Sequence, residues 1–226
     1  DNEVYRAVGC VIGFRGPDGV EVIFQDKAIA DAKYNRMMIE ITGVDDLEND
    51  DSVTVNLYRG MDRLLTDATG LNIMSGGTQR VDYRWGRDLM RKMQGKIVDS
   101  TLITEPIPDM VMPWMNLGVP SVHIFRDMRL QLNLTPDGAT GLVAGYADID
   151  SWYYQLIRND STHHLSNRQI SGISLYKALR RLADAYPDPE TGENTAISTA
   201  LDVKMTQVFI THSTAGDGMA GETGGR

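Results

Sequence analysis

Met128-Arg129-Leu130-Gln131-Leu132-Asn133-Leu134-Thr135-Pro136-Asp137-Gly138 is the stretch whose reading decides the fold. Met128, Leu130, Leu132 and Leu134 are apolar, and the residues between them are polar. Successive side chains of a strand point to opposite faces, so this period of two predicts a strand with one buried and one wetted face. Thr135-Pro136-Asp137-Gly138 then reverses the chain: proline presets φ at the first central position, and glycine suits the exit. Leu142 and Ala144 are expected to face the same way on the returning strand. An antiparallel hairpin is the result.

Working outward, the same chemistry recurs. Val4 to Phe14 is apolar enough for a strand, and Arg15-Gly16-Pro17-Asp18-Gly19 turns it into Val20 to Phe24. Lys27 to Ala32 suits a helical turn on a connection. Arg36 to Ile41 and Ser52 to Tyr58 have strand character, the latter with Val53, Val55 and Leu57 on one side. Residues 60–80 read as a long loop, and 81–93 as an extended segment. Lys96-Ile97-Val98 and Leu102-Ile103-Thr104 flank Asp99-Ser100, as in a tight hairpin. Pro106, Pro108, Pro113 and Pro120 exclude a central strand and suit an edge or a crossover.

After Tyr146 the period changes. Ile149, Trp152, Tyr153, Leu156 and Ile157 recur at helical spacing behind the cap candidates Asp148, Asp150 and Ser151. Ile173, Leu175, Tyr176, Leu179, Leu182 and Tyr186 mark a second amphipathic helix, ended by Pro187 and Pro189. Thr195 to Ile210 returns to strand. The expected architecture is mainly β: an antiparallel β-sandwich or barrel over residues 1–210, carrying a two-helix insert at 149–186. Residues 211–226 read as a flexible tail or linker. A parallel α/β sheet would need helices between the early strands, and the pattern there has none.

The chain has 226 residues, enough to bury a core without staples. Its net charge of −9 disfavours nucleic acid, because phosphate binding needs a basic surface. No run of about 20 apolar residues is present to span a membrane. The single cysteine, Cys10, excludes an internal disulfide and a cysteine-built zinc site. Within Val8-Gly9-Cys10-Val11-Ile12 it is expected as a small buried filler. A start at Asp1 without methionine fits a processed form or a piece of something longer, and the turn-rich composition suits an extracellular or periplasmic setting.

Two acidic stretches offer oxygen ligands for calcium: Asp46, Glu48 and Asp50 in one, Asp188, Glu190 and Asn194 in the other. Neither has the spacing of an EF-hand, and solvated turn residues explain both as well. No other cofactor is called for. His163-His164 lacks zinc-ligand spacing, and His123, beside Phe125, reads as structural. No Gly-x-Ser-x-Gly or phosphate-cradling glycine pattern appears. Trp114, between Met112 and Met115 in the proline-rich segment, is the best protein-contact candidate, joined by Trp85. Trp152 and Tyr153 are expected to pack their helix on the sheet.

The residues therefore favour a non-enzymatic exported binding or scaffold module within a larger assembly, with a protein partner. Two competitors stand beside it. One is a carbohydrate-acting hydrolase with paired carboxylates in a cleft beside the 60–80 loop. The other is a calcium-stabilised adhesive domain.

Overall fold

The structure is a computed structural model that describes residues 1–11, 36–70, 72–85, 90–116, 119–159 and 172–212. Its strands are β1 (Met37–Thr42), β2 (Asp50–Arg59), β3 (Gly77–Arg80), β4 (Arg91–Val98), β5 (Thr101–Thr104), β6 (Ile107–Asn116), β7 (Val119–Thr135), β8 (Gly138–Asp148), β9 (Ala185–Pro187), β10 (Asn194–Thr206) and β11 (Val208–Thr211). The helices are α1 (Glu3–Val8), α2 (Ile149–Asn159) and α3 (Gly172–Leu182).

The fold is mainly β, built on a nine-stranded antiparallel sheet of order β1-β2-β4-β5-β7-β8-β10-β9, with β6 pairing β7 off that path. Alternation sets its faces. Val53, Val55, Leu57, Met93, Ile97, Leu102, Met128, Leu130 and Leu132 are buried in one core that also takes Ile149, Leu175 and Leu179 from the helices. Arg129, Gln131 and Asn133 face water. Each deeply buried leucine contributes about 2 kcal/mol of transfer free energy, so this face is where the stability resides. No pairing joins β1 to β9 among the described residues. A second, two-stranded sheet pairs β11 with β3 in parallel.

The deciding hairpin forms in the expected place, Thr135 pairing Gly138 across a two-residue loop. That register puts Leu130 opposite Val143 and Gln131 opposite Leu142. Opposite residues share a face, so Val143 is buried while Leu142 points out, 37% exposed. Leu142 thus lies on the face opposite the leucine stripe. The β4–β5 hairpin is also as expected, with Asp99 and Ser100 both at positive φ (48° and 59°), the conformation of a type I′ turn.

Other expectations need correction. Glu3–Val8 is helical rather than extended, capped by Asn2, whose side chain accepts from the Tyr5 N–H. Val4, Ala7 and Val8 recur at helical spacing, and the segment docks on β10 and α3. Six residues are too few for a stable isolated helix, so tertiary contact decides the conformation. Cys10, past the end of that helix, is exposed, not a buried filler. The second insert helix stops at Leu182, and residues 185–187 are β9, so the helical insert is shorter than 149–186. Within the expected 60–80 loop, 77–80 are strand β3. The hairpin at 15–24, the turn at 27–32, the His163-His164 pair and the tail beyond His212 lie outside the described residues. No helix among the described residues is long and apolar enough to cross a membrane.

Candidate functional site

β7 is the longest strand, and it changes partner midway. Residues 119–128 pair with β6, whereas 131–133 pair with β5. The chain crosses from β5 to β6 through Glu105 and Pro106, which leaves a gap in the ladder. Thr104 closes it: its buried Oγ1 accepts from the Leu130 N–H at 2.9 Å. On the other edge the register with β8 slips between Arg126 and Arg129, forming a bulge. A bulge adds a residue on one strand, bends that strand and re-aims the side chains past the bend. Here Asp127 takes φ +49°, and Gly145 sits opposite, where a Cβ would lie 2.9 Å from the Arg126 carbonyl oxygen.

Side chains clamp this bend. Tyr186 donates its hydroxyl to Asp127 Oδ2 at 2.6 Å and is itself at φ +58°. The Arg126 guanidinium lies 4.8 Å from the Tyr186 ring centroid and donates to Asp148 Oδ2 at 3.0 Å. The other oxygen of Asp148 accepts from the Ser151 N–H, capping α2. Tyr146 meets Tyr186 edge-on at 5.7 Å. Burial, then the Asp127 carboxylate, pushes the Tyr186 phenol up to about 12. Two strained non-glycine residues joined by a short hydrogen bond persist only where their surroundings fix them.

Beyond the bulge, β6 and the first half of β7 form an arm. Met112, Trp114 and Met115 lie on its far part, opposite His123, Ser121 and Pro120. Among the described residues β6, which holds Pro108 and Pro113, pairs only β7, the edge role expected of those prolines. Pro120 instead lies in β7, a central strand, over the part that pairs β6. Pro108 and Pro113 fall on opposite backbone parities, so one of them removes a donor from the outward edge, a device against unwanted strand addition. Opposite Met112, burial pushes His123 down to about 3, so it stays neutral. Trp85 ends a single 3-10 turn (Tyr83–Trp85) and is not part of the arm. Trp152 is packed against the core, as expected of that helix, whereas Tyr153 meets Tyr176 of α3 at 4.5 Å.

The acidic loops behave as turns. Asp50 accepts from the N–H groups of Asp45 and Ser52, bonds that hold its carboxyl below the usual range, and Asp46 accepts from Glu48. Asp188 accepts from the backbone of Thr191 and Glu190, with the same effect, while Asn194 is in β10 and donates to the Ala183 carbonyl. Among the described residues no group of three His, Cys, Asp or Glu is placed to hold a metal. A cavity of about 230 Å³ beside the 60–80 loop has Asp137 as its one carboxylate among the described residues. A second groove, about 440 Å³, lies on β2, β4 and β5, with Asp51 and Glu105 both on its walls.

One constellation has no precursor in the sequence pattern. His212 Nε2 lies 3.0 Å from Glu40 Oε1, and its Nδ1 lies 2.9 Å from the Tyr83 hydroxyl. Tyr58 donates to the other Glu40 oxygen at 3.2 Å and meets the His212 ring edge-on. Burial and then Glu40 push the Tyr58 phenol up. Beside Tyr58 and Tyr83 in sequence, Arg59 and Asp82 are buried, as are Arg36 and Gln79. Asp82 accepts from Arg84 at 2.8 Å and pairs with Arg59 at 3.5 Å. Burial pushes its carboxyl up, but the Arg84 hydrogen bonds and the arginine charges outweigh that and hold it below the usual range. No protein-family model matches the chain, and neither a curated protein nor a solved structure does.

Proposed function

We propose that this protein is a binding module that engages a protein partner through the β6–β7 arm, as one component of an extracellular or periplasmic assembly. The observation that carries the reading is the bulge at Asp127: it aims an arm bearing Met112, Trp114 and Met115 and is clamped by Tyr186. Methionine and tryptophan make adaptable, high-area contacts. An edge strand is where such residues reach a partner. Placing a photo-crosslinker at position 114 in the native cell, and another at Asn133 on the wetted sheet face, tests this. One dominant protein adduct from 114 and none from 133 is expected. Equal adducts from both positions, or none from 114, would overturn it.

The groove between Asp51 and Glu105 favours a second reading, a hydrolase acting on a neutral polysaccharide. That reading expects release of reducing ends by the full chain, lost in Glu105→Gln. No release from a panel of neutral glucans and xylans would end it.

A further inference from the structure

Tyr83, Glu40 and His212 come from three separate segments, yet one line of hydrogen bonds joins them. Glu40 accepts at Nε2, so the ring proton sits there and Nδ1 is left to accept from the Tyr83 hydroxyl. A hydroxyl, an imidazole and a carboxylate in that order form the arrangement that activates a nucleophile: the carboxylate fixes the ring, and the far nitrogen takes the proton. Glu40 is in turn held by Tyr58 at 3.2 Å and Asn56 at 3.5 Å, so the positioning group is positioned itself. Tyr83 is 42% exposed, open to a substrate from solvent. With both ring nitrogens engaged, His212 has no lone pair to offer a metal ion.

The geometry points to Tyr83 as an acyl-accepting nucleophile, with His212 as its base and Glu40 as a positioning carboxylate, acting on activated carboxylic esters. Tyr83 Oη attacks the ester carbonyl carbon as its proton passes to His212 Nδ1. The tetrahedral intermediate collapses, the bond to the leaving oxygen breaks, and that oxygen leaves as an alcohol carrying the proton from His212. Acyl-tyrosine remains. Water then attacks the acyl carbon, His212 takes its proton, and the phenol and a carboxylic acid are released. Arg84 holds Asp82 through Nε and Nη2, and its Nη1 takes no part in those bonds. It is the cation adjacent in sequence to the reacting oxygen.

Incubation of the full chain with p-nitrophenyl acetate, followed by peptide mass mapping, tests this. Acetylation of Tyr83 ahead of the more exposed Tyr5 and Tyr154 is expected, and Tyr83→Phe removes that adduct. His212→Gln slows it at least about 100-fold, the lower end of what a general base supplies. Free imidazole restores it in His212→Gly, which a purely structural histidine would not show. Equal labelling of Tyr83, Tyr5 and Tyr154, or an unchanged rate at Tyr83 in His212→Gln, would overturn the assignment.

Discussion

Tyr186 and Asp127, 59 residues apart, are joined by a 2.6 Å hydrogen bond, and both hold positive φ. Aspartate tolerates the left-handed region because its short side chain bonds locally; tyrosine there costs roughly 1–2 kcal/mol. The strain survives because the hydroxyl–carboxylate bond and the Arg126 contact offset it. Tyr186→Phe is expected to lower unfolding free energy by about 1.5–3 kcal/mol, the range for a hydrogen bond to a charged group. Asp127→Ala should cost more, since it loses the bond and keeps a backbone that alanine adopts poorly. Urea melts of the two variants check the order.

The same bond has a pH signature. The folded pKa of Tyr186, about 12, lies above its unfolded value of 10.0. Its contribution is therefore fully present below pH 10 and is lost as pH rises through about 12. In phenolate absorbance, the tyrosine that ionises last should vanish in Tyr186→Phe and shift down in Asp127→Asn. A late-ionising tyrosine that persists in Tyr186→Phe would refute the assignment.

Burial of His123 works in the opposite direction. Its folded pKa of about 3 lies below the ordinary histidine value of 6.5, so the unfolded chain binds the proton more readily. Stability is unaffected above pH 6.5 and falls as pH drops towards 3. Linkage sets the loss between about pH 7 and pH 5 at up to about 2 kcal/mol. Melts of His123→Leu should be flatter than wild type across that window. Carboxylates such as Asp50 and Asp188 titrate lower and leave it alone.

How much of this is legible in the sequence depends on contact range. The stripe Val53-Val55-Leu57, the stripe from Met128 to Leu134, and the turns at Asp99 and Pro136 carry local signals, and each strand or hairpin is where those signals put it. Glu3–Val8 departs from its strand-like reading because an apolar run suits either period, and only contact with β10 settles it. Helix α3 stops short of Pro187 because Ala185 pairs with Ala196, a choice made across the sheet. His212 reaches Glu40 over 172 residues and Tyr83 over 129, distances at which no spacing rule operates. The bulge at Asp127 is hidden because Phe125 and Met128 read as a mere slip in alternation.

Asp82 is the carboxylate among buried arginines, its side chain 1% exposed and that of Arg59 6%. Asp82→Asn removes the negative charge while keeping the shape, so the guanidiniums of Arg59 and Arg84 lose their shared counter-charge. Breaking one partner of a buried pair typically costs about 3–5 kcal/mol. A loss in that range is expected by thermal or urea melts, well above that of Asp62→Asn. Asp62 meets Arg80, more than half exposed, where an ion pair adds only about 0–1 kcal/mol.

Gly145 bears most directly on the proposed function. A Cβ there would lie 2.9 Å from the Arg126 carbonyl oxygen and 3.1 Å from Met128 Cα, both backbone atoms that cannot rotate aside. Gly145→Ala must then push β7 from β8 at the bulge, at a cost of about 1–3 kcal/mol for overpacking. The disturbance should be local. Hydrogen exchange is expected to speed up at 107–116 and 119–128, while β1 and β2, on the far side of the sheet path, keep their protection. If the bulge aims the arm, the same variant weakens the crosslink from position 114 without touching Trp114 itself. Faster exchange spread evenly over the whole sheet would show that Gly145 serves general packing and that the arm takes no direction from it.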